Sequence, residues 1–129
     1  MSTDLSMLAW TTGLTALFWL PYILARIAKY GLTEALTYRA DSLPVPAWAD
    51  RAKKAHYNAV ENLVIFAALV LVAHLTGAAN AATAAAAITY FVARLVHYPV
   101  YVAGIPLMRT LMFAVGWLAQ VCIFYQIVT

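Results

Sequence analysis

Charge is the scarcest commodity in this chain. Only 10% of its 129 residues are charged, while 65% are hydrophobic. A soluble domain carries about 25% charged residues, and the mean hydropathy here is +0.81. A soluble globular class is thereby excluded. Cysteine is nearly absent: Cys122 stands alone, so no internal disulfide and no thiolate metal or redox motif can form. The three histidines, His56, His74 and His97, lie on separate turns without a thiol or carboxylate cluster, and no metal site is expected. Eight Lys and Arg against five acids give a net charge of +3. No basic run interleaved with aromatics accompanies that excess, so nucleic acid is not an expected partner. Asp4 and the lack of a basic n-region predict that the first apolar segment is a retained span, not a cleaved signal peptide.

What remains is long apolar sequence. No charge occurs from Leu5 to Ala25, from Asn62 to Ala93, or from Thr110 to Thr129. About 20 apolar residues cross a bilayer as a helix. The second run is too long for one crossing and is interrupted by Thr76-Gly77-Ala-Ala-Asn80, a turn signal. The pattern predicts an all-α integral membrane four-helix bundle forming one domain over 1–129, with helices near 5–28, 54–76, 79–102 and 107–128. Pro21 and Pro99 should bend the first and third helices, and Pro106 suits the start of the fourth. Asp50 is positioned to cap the second. The alanine tract from Ala78 to Ala87 predicts close helix packing. Tyr22, Tyr30, Trp48 and Tyr98 read as interfacial anchors, and His56 as a headgroup-facing residue.

The cations set the orientation. All eight flank the first or third connection, and neither the second connection nor either terminus holds a Lys or Arg. By the positive-inside rule, that side is cytoplasmic and both termini lie outside.

Two polar stripes run into the apolar helices. Arg51, Lys54, Asn58 and Glu61 follow one another at helical spacing, so they share a face. Arg94, His97 and Tyr101 do the same in the third helix, with Arg109 just beyond. An ionisable group this deep in an apolar segment is costly and marks a functional site. A bundle can bring Lys54, Asn58 and Glu61 opposite Arg94, Tyr101 and Arg109. Fixed cations with one carboxylate and one amide suit a small zwitterion with excess negative charge. An arginine near a thiol would also favour the thiolate.

The pattern Arg51-x-x-Lys54-Ala-x-x-Asn58-x-x-Glu61, then Ala93-Arg94-Leu-Val-His97-x-x-x-Tyr101, then Arg109, resembles the MAPEG family of membrane-associated proteins in eicosanoid and glutathione metabolism. Trp48-Ala-Asp-Arg-Ala ahead of the motif is similar to bacterial members, which implies a bacterial inner membrane. The resemblance implies a homotrimer binding glutathione as co-substrate on the cytoplasmic side, with a lipophilic small molecule or lipid as second partner. Carried over by position, it implies glutathione ligands at Arg51, Lys54, Asn58, Glu61, Arg94, His97 and Tyr101, with Arg26 from the end of the first helix. It implies that Arg109 stabilises the thiolate. Lys54 stands where an arginine is usual, losing bidentate binding. Phe113 lacks a phenol seen in some family members, and the proline that commonly follows the glutamate is absent at Val64 and Ile65.

Two functions therefore compete. One is a glutathione-dependent transferase or peroxidase acting on lipophilic electrophiles. The other is a non-catalytic trimeric membrane protein that binds glutathione, lipid or another amphiphile. A small multidrug exporter ranks below both, because Leu5 to Ala25 contains no acid for proton coupling.

Overall fold

A computed structural model describes residues 1–129, all of the chain, as helices joined by short turns. The helices are α1 (Thr3–Leu17), α2 (Leu20–Tyr30), α3 (Leu32–Ala35), α4 (Ala47–Thr76), α5 (Ala81–Ala103) and α6 (Pro106–Val128), with a 3₁₀ turn at Tyr38–Ser42. Three stretches are long and apolar enough to cross a membrane: Thr3–Tyr30, Ala47–Thr76 and Pro106–Val128. The expected fourth, α5, is also long, but Arg94, His97 and its tyrosines dilute its apolar character.

The interior is built from small residues. Ala49, Ala52, Ala55 and Ala59 bury one face of α4, while Leu17, Leu75, Leu118 and Phe124 point outward. Small side chains let helix backbones approach, and large apolar ones meet lipid. Deeper in, Phe66, Val70, Ala73, Ala86, Ala87, Tyr90, Ala119 and Ile123 form the core. Tyr90 stacks on Phe66 with ring centroids 3.9 Å apart. Two residues of the alanine tract, Ala86 and Ala87, thus close the α5 packing surface as expected. The most extensive packing is between α5 and α6.

Local sequence explains most boundaries. Asn80 caps α5 through a reciprocal box with Thr83, which satisfies two of the orphan donors at a helix start. Gly77 and Gly104 end α4 and α5 at positive φ, 73° and 78°. Pro106 opens α6. The helix that carries the first stripe begins at Ala47, seven residues ahead of the position read from sequence, after Pro46. Asp50 is consequently not its cap; it sits in the first turn and pairs with Lys54 at 3.0 Å. Ala47 to Ala49 favour helix, and Pro46 is preset to initiate it.

The first span breaks at Phe18–Trp19, just before Pro21. Proline lacks the amide that would continue the ladder. The Tyr98 hydroxyl donates to the Phe18 carbonyl at 3.1 Å, and the two rings stack at 3.9 Å. Tyr98 is therefore a brace for the break. Pro99, by contrast, lies inside an unbroken helix. His56 is tied to the first span, its Nδ1 lying 3.1 Å from the Tyr22 hydroxyl. Between α2 and α4 the chain is tied by local pairs: Arg39 donates twice to Glu34, and Tyr30 donates to the Pro44 carbonyl. Arg39 holds the Glu34 carboxyl below the usual carboxylate range, chiefly through those hydrogen bonds.

Candidate functional site

The start of α4 meets the end of α5 and the start of α6, and there the two stripes converge. Asn58, His97, Tyr101, Arg109, Thr110 and Phe113 line a cavity of about 240 Å³. Four of these six were expected from the sequence as site residues. Helical spacing explains the convergence: His97 and Tyr101 lie one turn apart on α5, and Arg109 lies one turn into α6.

Beneath the cavity sits a buried cation. Arg94 is 4% exposed, and its terminal nitrogen donates to Asn58 Oδ1 at 2.8 Å. Its Nε has no partner. The ion pairs of the chain are Arg26–Asp41, Arg39–Glu34 and Lys54–Asp50, so Arg94 has no carboxylate against it. A buried charge without a counter-ion is costly. Asn62 donates to the Asn58 main-chain carbonyl at 2.8 Å and lies 3.4 Å from Asn58 Oδ1. Gln120 in turn donates to the Asn62 carbonyl at 3.1 Å.

At the wall, the Arg109 guanidinium lies 4.7 Å from the Tyr101 ring centroid, a cation–π distance. Tyr101 meets His97 edge-on at 5.6 Å. His97 is 1% exposed, yet its Nδ1 is without a partner. No acid lines the cavity. Arg109 in the wall and Arg94 behind Asn58, with no carboxylate in the lining, make an arrangement that can accept an anion.

The remaining expected ligands lie elsewhere. Arg51 donates from Nε to the Val102 carbonyl at 2.8 Å. Lys54 is mostly exposed and paired with Asp50. Glu61 is exposed and makes no ion pair within the chain. Arg26 pairs with Asp41 at 3.0 Å and faces a second cavity, of about 400 Å³, lined also by Lys53 and Asp50. The chain thus unites Asn58, Arg94, His97, Tyr101 and Arg109, and leaves Arg51, Lys54, Glu61 and Arg26 outside that group.

Sequence reading passed over Gln120 and Thr110. Gln120 had a usable signal, being an amide in an otherwise apolar span; Thr110 had none, because its place depends on the turn before α6. No group of His, Cys, Asp and Glu is arranged to hold a metal ion.

The model of the MAPEG family matches residues 7–129, nearly the whole chain. No curated protein and no solved structure matches it.

Proposed function

The chain belongs to the MAPEG family, and from that premise we propose a glutathione-dependent transferase or peroxidase acting on lipophilic electrophiles. It is an integral membrane protein of a family concerned with glutathione and eicosanoid metabolism. The observation that carries the proposal is the acid-free cavity above Arg94, a buried cation with no counter-ion. Glutathione is a small peptide with one net negative charge, two carboxylates and one ammonium. Its carboxylates answer the cations, and its amides answer Asn58, His97 and Tyr101.

In this reading Arg109 favours the bound thiolate, which is the nucleophile. The thiolate forms a carbon–sulfur bond with an electrophile arriving from the bilayer and expels its leaving group. With a hydroperoxide it attacks the terminal oxygen, and the O–O bond breaks to release the alcohol. A second glutathione then converts the resulting sulfenic acid to glutathione disulfide and water. The protein contributes position and fixed charge. Glu61, exposed on the apolar helix and unpaired within the chain, supports completion of the site by an adjacent subunit of a homotrimer. The eight cations gathered at one end support a cytoplasmic site with both termini outside, in a bacterial inner membrane.

A second reading keeps the binding and drops the chemistry. Phe113 lines the cavity with a ring that has no hydroxyl, and Lys54 is occupied by Asp50. Both favour a non-catalytic protein holding glutathione, lipid or another amphiphile.

The deciding experiment titrates glutathione into detergent-purified protein and follows thiolate absorbance, then turnover with a chloronitroarene that loses chloride. The enzyme reading expects a thiolate signal in the wild type and its loss in Arg109→Ala, with turnover falling roughly 10²–10³-fold, as for removal of one electrostatic stabiliser. Binding without thiolate or turnover establishes the second reading.

A further inference from the structure

Arg51 begins the polar stripe, yet its side chain turns away from the cavity toward the end of α5. Its Nε donates to the Val102 carbonyl at 2.8 Å, across 51 residues of sequence. Val102 lies in the last turn of α5, where four carbonyls have no helical partner and the helix end carries partial negative charge. A guanidinium is well matched to that position.

The approach is close. A Cβ placed on Gly104 would lie 3.3 Å from both Cζ and Nε of Arg51. Gly104 also has φ 78°, a conformation that residues with a Cβ avoid. The backbone thus favours glycine there, and an added Cβ would press on the guanidinium lying across it. The Gly104 amide donates to the Tyr101 carbonyl at 3.0 Å, and the Ile105 amide to the Val100 carbonyl at 3.2 Å. Tyr101 in turn carries Arg109 over its ring. Arg109 opens its own helical ladder by donating to the Ile105 carbonyl at 3.3 Å.

We infer that Arg51 is a positioning residue: it clamps the α5–α6 turn from α4, and through Tyr101 and Ile105 it sets where Arg109 stands at the cavity. This inference rests on the proposed role of Arg109 for its functional consequence, but its structural part stands without it. Arg51 then belongs to the site without touching the ligand. A lysine can also reach a helix-end carbonyl, so Arg51→Lys should keep the clamp, whereas Arg51→Met keeps the length of the side chain and loses the donor.

The test measures amide hydrogen exchange from Gly104 to Arg109 in the intact protein, for the wild type, Arg51→Met, Arg51→Lys and Gly104→Ala. The clamp predicts exchange faster by about tenfold or more in Arg51→Met, the loss of one charge-assisted hydrogen bond. It predicts near wild-type exchange in Arg51→Lys and acceleration in Gly104→Ala, whose added methyl meets Arg51. Unchanged exchange in Arg51→Met, or no rescue by lysine, overturns the clamp whether or not glutathione binds. A second arm follows the pKa of bound glutathione thiol in Arg51→Met with and without Arg109→Ala. Positioning predicts a raised thiol pKa only where Arg109 is present, with little change in affinity. An equal rise in both backgrounds, or a large loss of affinity with an intact thiolate, would make Arg51 a direct ligand. Wild-type protein that binds no glutathione removes the proposed function, and the exchange arm then decides the clamp by itself.

Discussion

The two tight turns of the molecule solve the same geometric problem with different means. Between α4 and α5, Gly77 reverses the chain and Asn80 caps the next helix with Thr83. The Asn80 amide also donates to Gln126 at 2.7 Å. Between α5 and α6, Gly104 reverses the chain, but no side-chain cap begins α6, and the stabilising contact comes from Arg51 on α4. The first turn is capped by its own residues and tied by Asn80 to α6. The second has no side-chain cap of its own, is held from α4, and borders a cavity lined by Asn58, His97, Tyr101 and Arg109, with the buried Arg94 behind Asn58 and no carboxylate against it. Polar groups that satisfy one another do structural work; cations beside a volume that no acid lines mark where an anion is expected.

The largest effect that separates the two ends falls on Arg94. Replacing it by leucine removes the buried charge and should cost glutathione roughly 30-fold or more in affinity, since truncated buried charge contacts cost about 2–5 kcal/mol. Thermal stability should hold or rise in the same variant, because an uncompensated buried charge is itself a burden. Titration calorimetry and a melting curve check both halves. A variant that melts early and still binds would make Arg94 structural, and the contrast between the turns would lose its functional meaning.

Asn80→Ala sharpens the comparison from the other end. Loss of an N-cap costs about 1 kcal/mol of stability, and glutathione affinity should not move. The melting curve and the same titration read it. If binding fell with stability, the two turns would not be separable.

The smallest effect belongs to Glu34, outside both turns. Its pair with Arg39 is exposed, and such pairs contribute little. Because the folded carboxyl is held below its ordinary value, whatever the pair adds is present above the unfolded pKa. It is lost as pH falls through the lowered folded value. Glu34→Gln should erase that dependence and leave binding untouched, as a pH series of melting curves will show.

The sequence made the helices legible because lipid enforces long uncharged runs, and because Gly77, Asn80, Gly104 and Pro106 signal their turns by local chemistry. Asn58, Arg94, His97, Tyr101 and Arg109 were legible because 3.6-residue periodicity places them on facing stripes. What sequence left illegible shares a cause, which is a partner that it does not display. Asp50 resembles a cap, but the cap position belongs to Pro46 and Asp50 pairs one turn ahead with Lys54. Tyr98 reads as an interfacial anchor, and the Phe18 carbonyl that accepts from it at the break in the first span is a partner sequence does not show. Arg51 reads as a ligand in the stripe, and within the chain it meets the Val102 backbone carbonyl, an acceptor every residue carries. Glu61 finds no partner within one chain at all, so no reading of one chain can pair it.

The most direct measurement compares glutathione with its neutral-carboxyl dimethyl ester in calorimetric titrations of the wild-type protein. The account holds that Arg94 and Arg109 lack anions and that the ligand supplies them. It predicts that glutathione binds and that the diester, with both carboxylates masked, binds at least about tenfold more weakly. Equal affinities, or no binding of glutathione at all, would contradict it.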